Sequence, residues 1–367
     1  MREAYGFLCH NYHPGDTIHL FGFSRGAYTA RSICGLVCRI GLLTKLGMDD
    51  FYAIYNVYRA GDMTDQYIAD LQARENGGVC RANIEVTTIG CFDTVGSFGI
   101  PRLNIPLLDT LGYLGIPRLQ IPLLSYWLSP SGLPDVEKYS FHDTDLSPRV
   151  RHAYHALGLD ELRQPFSPTL WFKPPSNTTT ELRQCWFPGV HSDVGGGYLE
   201  QEIADMTLAW MVERTKEQLD WDPVYLRHII KDSGDDCKEW AASDPHESYK
   251  GIMRLAGKRT RTPGFYKSPT NPDVDSDTAE FMHVSVRVRR QVKSEKNCVA
   301  LQDWQWKPEK KCWVNTKDPS KCLKEDWLGE TEMKLAGRDI VERLLKRAFP
   351  GNVDGAQLSP GSGTGKW

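Results

Sequence analysis

The stretch His19–Leu36, "HLFGFSRGAYTARSICGL", limits the possible folds more than any other part of the chain. Thr17 to Phe23 is β-branched and apolar and reads as a short buried strand. From Gly26 to Leu43, Ala27, Ala30, Cys34, Val37 and Cys38 recur at helical spacing. Between the two stands Ser24, with Gly22 and Gly26 two residues to either side. A strand that turns at once into a helix needs small residues around the apex, because Cβ atoms there would clash. Such a turn lifts the serine Oγ off the sheet. It also aims the helix N-terminus, and the backbone N–H of Arg25, at the space where an oxyanion would form. Gly22, Arg25 and Gly26 are therefore expected to shape a nucleophile elbow around Ser24.

A serine alone is inert; it needs a histidine base and a carboxylate that orients the base. Asp93 directly follows a second buried strand, Ile84 to Phe92, "IEVTTIGCF". If the two strands are parallel, Asp93 lies on the same sheet edge as Ser24, where open α/β sheets bind ligands. In "DTVG", Asp93 also fits a turn-capping role. His191 lies in "CWFPGVHSDVGGGYLE", four residues past a strand candidate, Leu182 to Phe187. With Gly195, Gly196 and Gly197 behind it, it is expected on a mobile loop and is the preferred base. His152 and His155 fall in Val150 to Leu159, which reads as a helix, and are expected to be packed or surface residues. No further His or Cys lies near His191-x-Asp193 at ligand spacing, so no metal is expected. Asp193 also suits a turn cap.

One internal repeat is present. Asp93 to Leu108, DTVGSFGIPRLNIPLL, is followed by Asp109 to Leu124, DTLGYLGIPRLQIPLL, with twelve of sixteen positions identical. Two copies are too few for a solenoid, so this is a local duplication. Asp109 is the copy of Asp93 but follows "NIPLL" and lacks a buried strand before it; Asp93 is the preferred acid. The repeat's prolines rule out a bilayer-spanning helix.

Further helices are expected at Glu3 to Tyr12, Asp50 to Arg59, Asp65 to Arg74, Ile203 to Leu219 and Met333 to Phe349. Cys237 to Asn297 reads as mostly polar loop, and the region from Trp306 gives no clear pattern. Strands alternating with helices argue for an α/β layer fold. A charged fraction of 25% and a net charge of -3 fit a globular protein and argue against nucleic-acid binding. The ten cysteines show no CxxC pair and no regular framework, and the start shows no signal segment. Reduced thiols and a cytoplasmic location are therefore expected.

With these residues assembled, the chain resembles the α/β-hydrolase family that includes the phospholipase effectors of bacterial type VI secretion, in a branch with many fungal members. The resemblance rests on "FGFSRGAYTAR", "CFDTVGSFGIP", "ALGLDELRQPFSPTLW" and "QCWFPGVHSDVGGGY", with weaker matches at "RTPGFY" and "HVSVRVR". It implies an α/β-hydrolase-like, mostly parallel sheet flanked by helices. It also implies a cofactor-free Ser24–Asp93–His191 triad hydrolysing carboxylic esters, with phospholipid acyl esters as the characterised substrates.

Members of that family carry strands ahead of the elbow, whereas Ser24 lies near the start of this chain. The fold is thus expected to be N-terminally truncated, with residues 1–300 as catalytic domain, 301–349 as an irregular extension ending in a helix and 350–367 as a disordered tail. A non-catalytic, hydrolase-like interaction scaffold is the alternative function. In the repeat, Leu107, Leu108, Leu123 and Leu124 would form a lid or an interfacial surface in peripheral contact with a membrane; packing on the body is the competing reading.

Overall fold

Parallel strands buried on both faces are long apolar runs joined by helices, and such strands form the middle of this chain's mostly parallel sheet of eight. In the computed structural model, β1 (His19–Phe23), β4 (Val86–Phe92), β5 (Val150–Gly158), β6 (Glu181–Phe187) and β7 (Glu280–His283) pair in parallel, in that spatial order. β10 (Cys322–Asp326) joins β7 in parallel, and β9 (Cys312–Asn315) and β8 (Trp304–Lys307) continue it as antiparallel strands. A separate two-stranded ribbon pairs β2 (Leu42–Leu43) with β3 (Cys80–Arg81). The structure describes residues 1–73, 79–95, 144–231, 237–269, 277–293 and 298–349. Asp109, the four repeat leucines Leu107, Leu108, Leu123 and Leu124, and the tail from 350 lie outside the described residues.

Successive strand residues point to opposite faces, and the two cores divide accordingly. Ile89, Cys91 and Ala153 face a core built with the helices Arg2–Asn11 and Arg25–Ile40. Tyr154, Ala156, Cys185 and Phe187 face the opposite core, covered by the helices Glu202–Thr215, Val284–Val292 and Arg338–Ala348. A third cluster, with Trp186, Trp304 and Trp313, fills the end of the sheet around β7–β10. Among the described residues, no helix is long and apolar enough to cross a membrane.

Several local expectations change. Val150–Gly158 is a central strand, not a helix. Being covered on both faces, it lacks the alternation that marks a half-exposed strand, and Ala153, Ala156 and Leu157 happen to fall at helical spacing. Cys237 to Asn297, expected as mostly polar loop, holds β7 and the helix Val284–Val292, in which Val284, Val286 and Val288 alternate like a strand yet are all buried. The elbow helix stops at Ile40, because Gly41 takes φ +82° and any Cβ there would lie 1.8 Å from the Arg81 carbonyl oxygen. The terminal helix is two helices, Glu330–Leu335 and Arg338–Ala348, parted at Gly337 with φ +82°. The C-terminal segment that reads as irregular supplies three strands, β8–β10. Cys312 and Cys322, expected as thiols, form a disulfide across the β9–β10 hairpin.

Trp210 joins the layers. It is fully buried, its ring meets Tyr154 and Phe187 edge-on, and its Nε1–H donates to Asp326 on β10 at 2.8 Å. Trp210→Ala is expected to lower unfolding free energy by about 3–5 kcal/mol. Trp210→Phe, which keeps one aromatic ring but loses the pyrrole half of the indole and its hydrogen bond to a charged group, should fall between, at about 2–4 kcal/mol. Urea denaturation of the three proteins checks the order.

Candidate active site

The strand register brings three loops to one edge. Phe23 aligns with Phe92, Phe92 with Ala156, and Gly158 with Phe187. Ser24 and Asp93 therefore follow directly on neighbouring strand ends, and His191 starts four residues beyond β6. Ser24 has φ 58° and Asp93 φ 42°, both unusual for residues with a Cβ. Each is pinned by its own N–H: Ser24 donates to the Phe92 carbonyl at 3.0 Å and Asp93 to the Ala156 carbonyl at 2.7 Å. Such strain persists only where the surroundings hold it.

Gly22 is required by space, since a Cβ there would lie 2.5 Å from the Gly26 carbonyl oxygen. The same argument does not hold for Gly26, where an added Cβ would meet no described atom within 4 Å. Arg25 and Gly26 are exposed at the first turn of the elbow helix. The first N–H groups of any helix lack intrahelical acceptors, so the Arg25 N–H is available beside Ser24.

The three side chains form one connected line. His191 Nε2 lies 2.8 Å from Ser24 Oγ, and His191 Nδ1 lies 2.6 Å from Asp93 Oδ2. His191 is not on a mobile loop. It opens the one-turn helix His191–Gly195 and is 3% exposed. Phe23 lies tilted over its ring at 4.7 Å between centroids and Phe166 meets it edge-on at 4.9 Å. Gly195 allows this packing, because a Cβ there would stand 2.0 Å from the Phe23 ring. The His191 N–H donates to Glu161 at 3.2 Å. Asp193 is a cap: its Oδ2 accepts from the Val190 N–H at 2.8 Å, and its Oδ1 contacts His246 Nδ1 at 2.6 Å.

Arg261 was not legible as part of the site. Its guanidinium grips both oxygens of Asp93, Nη1 to Oδ1 at 2.5 Å and Nη2 to Oδ2 at 2.7 Å. The Gly158 N–H adds a bond to Oδ1 at 3.0 Å. Burial opposes the Asp93 charge, but the Arg261 cation and hydrogen bonds outweigh it and hold the carboxyl far below the usual carboxylate range. Its sequence signals are the turn "RTPG" and the weaker family match "RTPGFY", and neither gives Arg261 a role.

His155 is a second missed element. It is a fully buried strand residue whose Nε2 accepts from the Thr94 N–H at 3.0 Å, fixing the backbone next to Asp93. Burial first, and then the Arg31 charge, push its pKa down to about 3.

This sheet, elbow and Ser–His–Asp line define an α/β-hydrolase-like protein. The family whose model matches residues 1–214 is described as "T6SS, Phospholipase effector Tle1-like, catalytic domain", and the chain belongs to it. The chain is also 36% identical over 107 residues to "Uncharacterized protein YEL023C" of Saccharomyces cerevisiae, a match covering 27% of this chain and 16% of the yeast protein. No solved structure matches it.

Two predictions follow from the buried charges. Arg261→Met leaves Asp93 buried without its counter-ion and should destabilise the protein by about 3–5 kcal/mol. Arg261→Lys should recover only part of this, lacking the two-pronged geometry; denaturant midpoints decide. For His155, the unfolded pKa of about 6.5 exceeds the folded one, so the unfolded chain binds more protons between the two. Its contribution is fully present above about pH 6.5 and is lost as pH falls toward 3. The stability difference between wild type and His155→Gln should change by about 1.4 kcal/mol per pH unit in that window. Parallel curves would refute this.

Proposed function

We propose that the chain is a serine hydrolase of carboxylic esters, acting on phospholipid or lipid-like acyl esters through Ser24, His191 and Asp93. The observation that carries the reading is the position of His191, within hydrogen-bond reach of Ser24 Oγ on one nitrogen and of Asp93 on the other. Membership of a family described as phospholipase effectors supports the substrate class. The yeast relative supports the fungal branch.

In this reading His191 Nε2 takes the Ser24 proton as Oγ attacks the ester carbonyl carbon. The Arg25 N–H faces the developing oxyanion at the positive end of the elbow helix. As the tetrahedral intermediate collapses, the carbonyl–oxygen bond to the alcohol breaks and His191 returns the proton to the leaving alcohol. A water molecule then releases the acyl group by the same steps in reverse. Asp93 keeps the imidazole oriented and stabilises its charged form.

Ser24→Ala should abolish labelling by a fluorophosphonate probe and reduce ester hydrolysis by at least about 10³-fold. Asp93→Asn should cost on the order of 10⁴ in kcat, by favouring the wrong imidazole tautomer. A folded wild-type protein that neither reacts with the probe nor cleaves short-chain esters or phospholipid micelles would leave the non-catalytic scaffold as the better account.

A further inference from the structure

Beside the Ser24–His191–Asp93 line is a cleft of about 130 Å³. It is well below the ~300 Å³ at which pockets for drug-sized ligands begin, so it suits a compact charged group and not an acyl chain. Phe166 forms part of its wall and also packs on His191, which places the cleft next to the reacting atoms. Arg261 is a second shared residue, with its terminal nitrogens on Asp93.

The charges of the cleft do not cancel. Glu161 is bound two-pronged by Arg163, at 2.9 and 2.8 Å, and also accepts from Ser248 Oγ at 2.9 Å. Asp93 is bound by Arg261. That leaves Arg259, which lines the cleft, is exposed, and forms no side-chain ion pair among the described residues. Arg261 is 3% exposed, and its terminal nitrogens are taken by Asp93 and by the Gly158 and Phe166 carbonyls. Tyr266 adds a hydroxyl whose oxygen accepts from the Thr262 N–H at 3.4 Å, which leaves its own proton to donate.

We propose that this cleft is a phosphate subsite, in which Arg259 pairs with the anion while the Tyr266 O–H donates to one of its oxygens. The group is either the phosphodiester of a lipid head group or free phosphate. The first source rests on the ester-hydrolase reading above and would set the phosphate of a bound lipid beside Ser24.

The test uses full-length Ser24→Ala protein and two soluble probes, glycerophosphocholine and inorganic phosphate, with binding followed by calorimetry. At least one probe should bind, and adding Arg259→Glu should weaken that probe by at least about tenfold, while Arg259→Lys keeps most of the affinity. Tighter binding of glycerophosphocholine assigns the head group; tighter binding of inorganic phosphate assigns the free anion. Because Arg259 is exposed, its variants should stay folded, which circular dichroism verifies. If neither probe binds, or if Arg259→Glu leaves affinity unchanged, the subsite is refuted. This readout needs no turnover, so an inactive wild type would count against the triad reading alone. If that wild type is active, Arg259→Glu should also lower its preference for phospholipid over a neutral ester of the same acyl chain.

Discussion

The buried carboxylate of Asp93 is the charge on which the site depends. A carboxylate taken out of water loses hydration worth several kcal/mol even after relaxation. Here it regains partners on every side: two prongs of Arg261, the Gly158 N–H and His191. An ionised carboxylate only accepts hydrogen bonds, so the neutral His191 must carry its proton on Nδ1, the nitrogen facing Asp93. Nε2 is then the lone-pair nitrogen, and it is the one beside Ser24 Oγ. The tautomer of the histidine is thus set by an ion pair on its far side.

The sheet converts that local electrostatics into a line of three groups. Parallel strands end at the same edge, so residues far apart in sequence meet there: Ser24 and Asp93 follow the neighbouring strands β1 and β4, and His191 follows β6, two strands beyond β4. Two of them sit at positive φ, and their own N–H groups bond to the carbonyls of the next strand. The strain is therefore held by the sheet ladder itself. The aromatic contacts of Phe23 and Phe166 keep the imidazole plane from turning away, and Gly195 is the space that lets Phe23 reach it.

What the sequence made legible follows the same division. Strand–turn–helix geometry is local, so the elbow at Ser24 and the loop position of Asp93 could be read from neighbouring residues alone. β5 could not, because a strand covered on both faces carries no period of two, and its alanines mimic a helix. His155 was misplaced with it. Arg261 could not be found at all, since its partner is 168 residues away and nothing beside it marks the pairing. The place of His191 beside Ser24 and Asp93 was legible, but its rigidity was not: three glycines suggest freedom, whereas the Asp193 cap and the Phe23 contact remove it. The disulfide Cys312–Cys322 was hidden for a similar reason, as it depends on a hairpin register that the polar residues between the two cysteines do not announce.

The matched family region ends at residue 214, yet the site does not. Residues 1–214 contain Ser24, Asp93, Glu161 and His191. Some of the groups that hold the site's carboxylates come from beyond that boundary: Arg261 on Asp93, Ser248 on Glu161, and His246 on Asp193. Each later residue supplies a donor to a carboxylate that the earlier segment buries. If the first 214 residues folded alone, Asp93 would be a buried charge with no cation against it, and it would either draw in water or take up a proton. If it took up a proton, His191 would lose the acceptor that fixes its tautomer. The later segment thus completes the electrostatics around Ser24, Asp93 and His191, which it does not contain, and the site belongs to both parts of the chain.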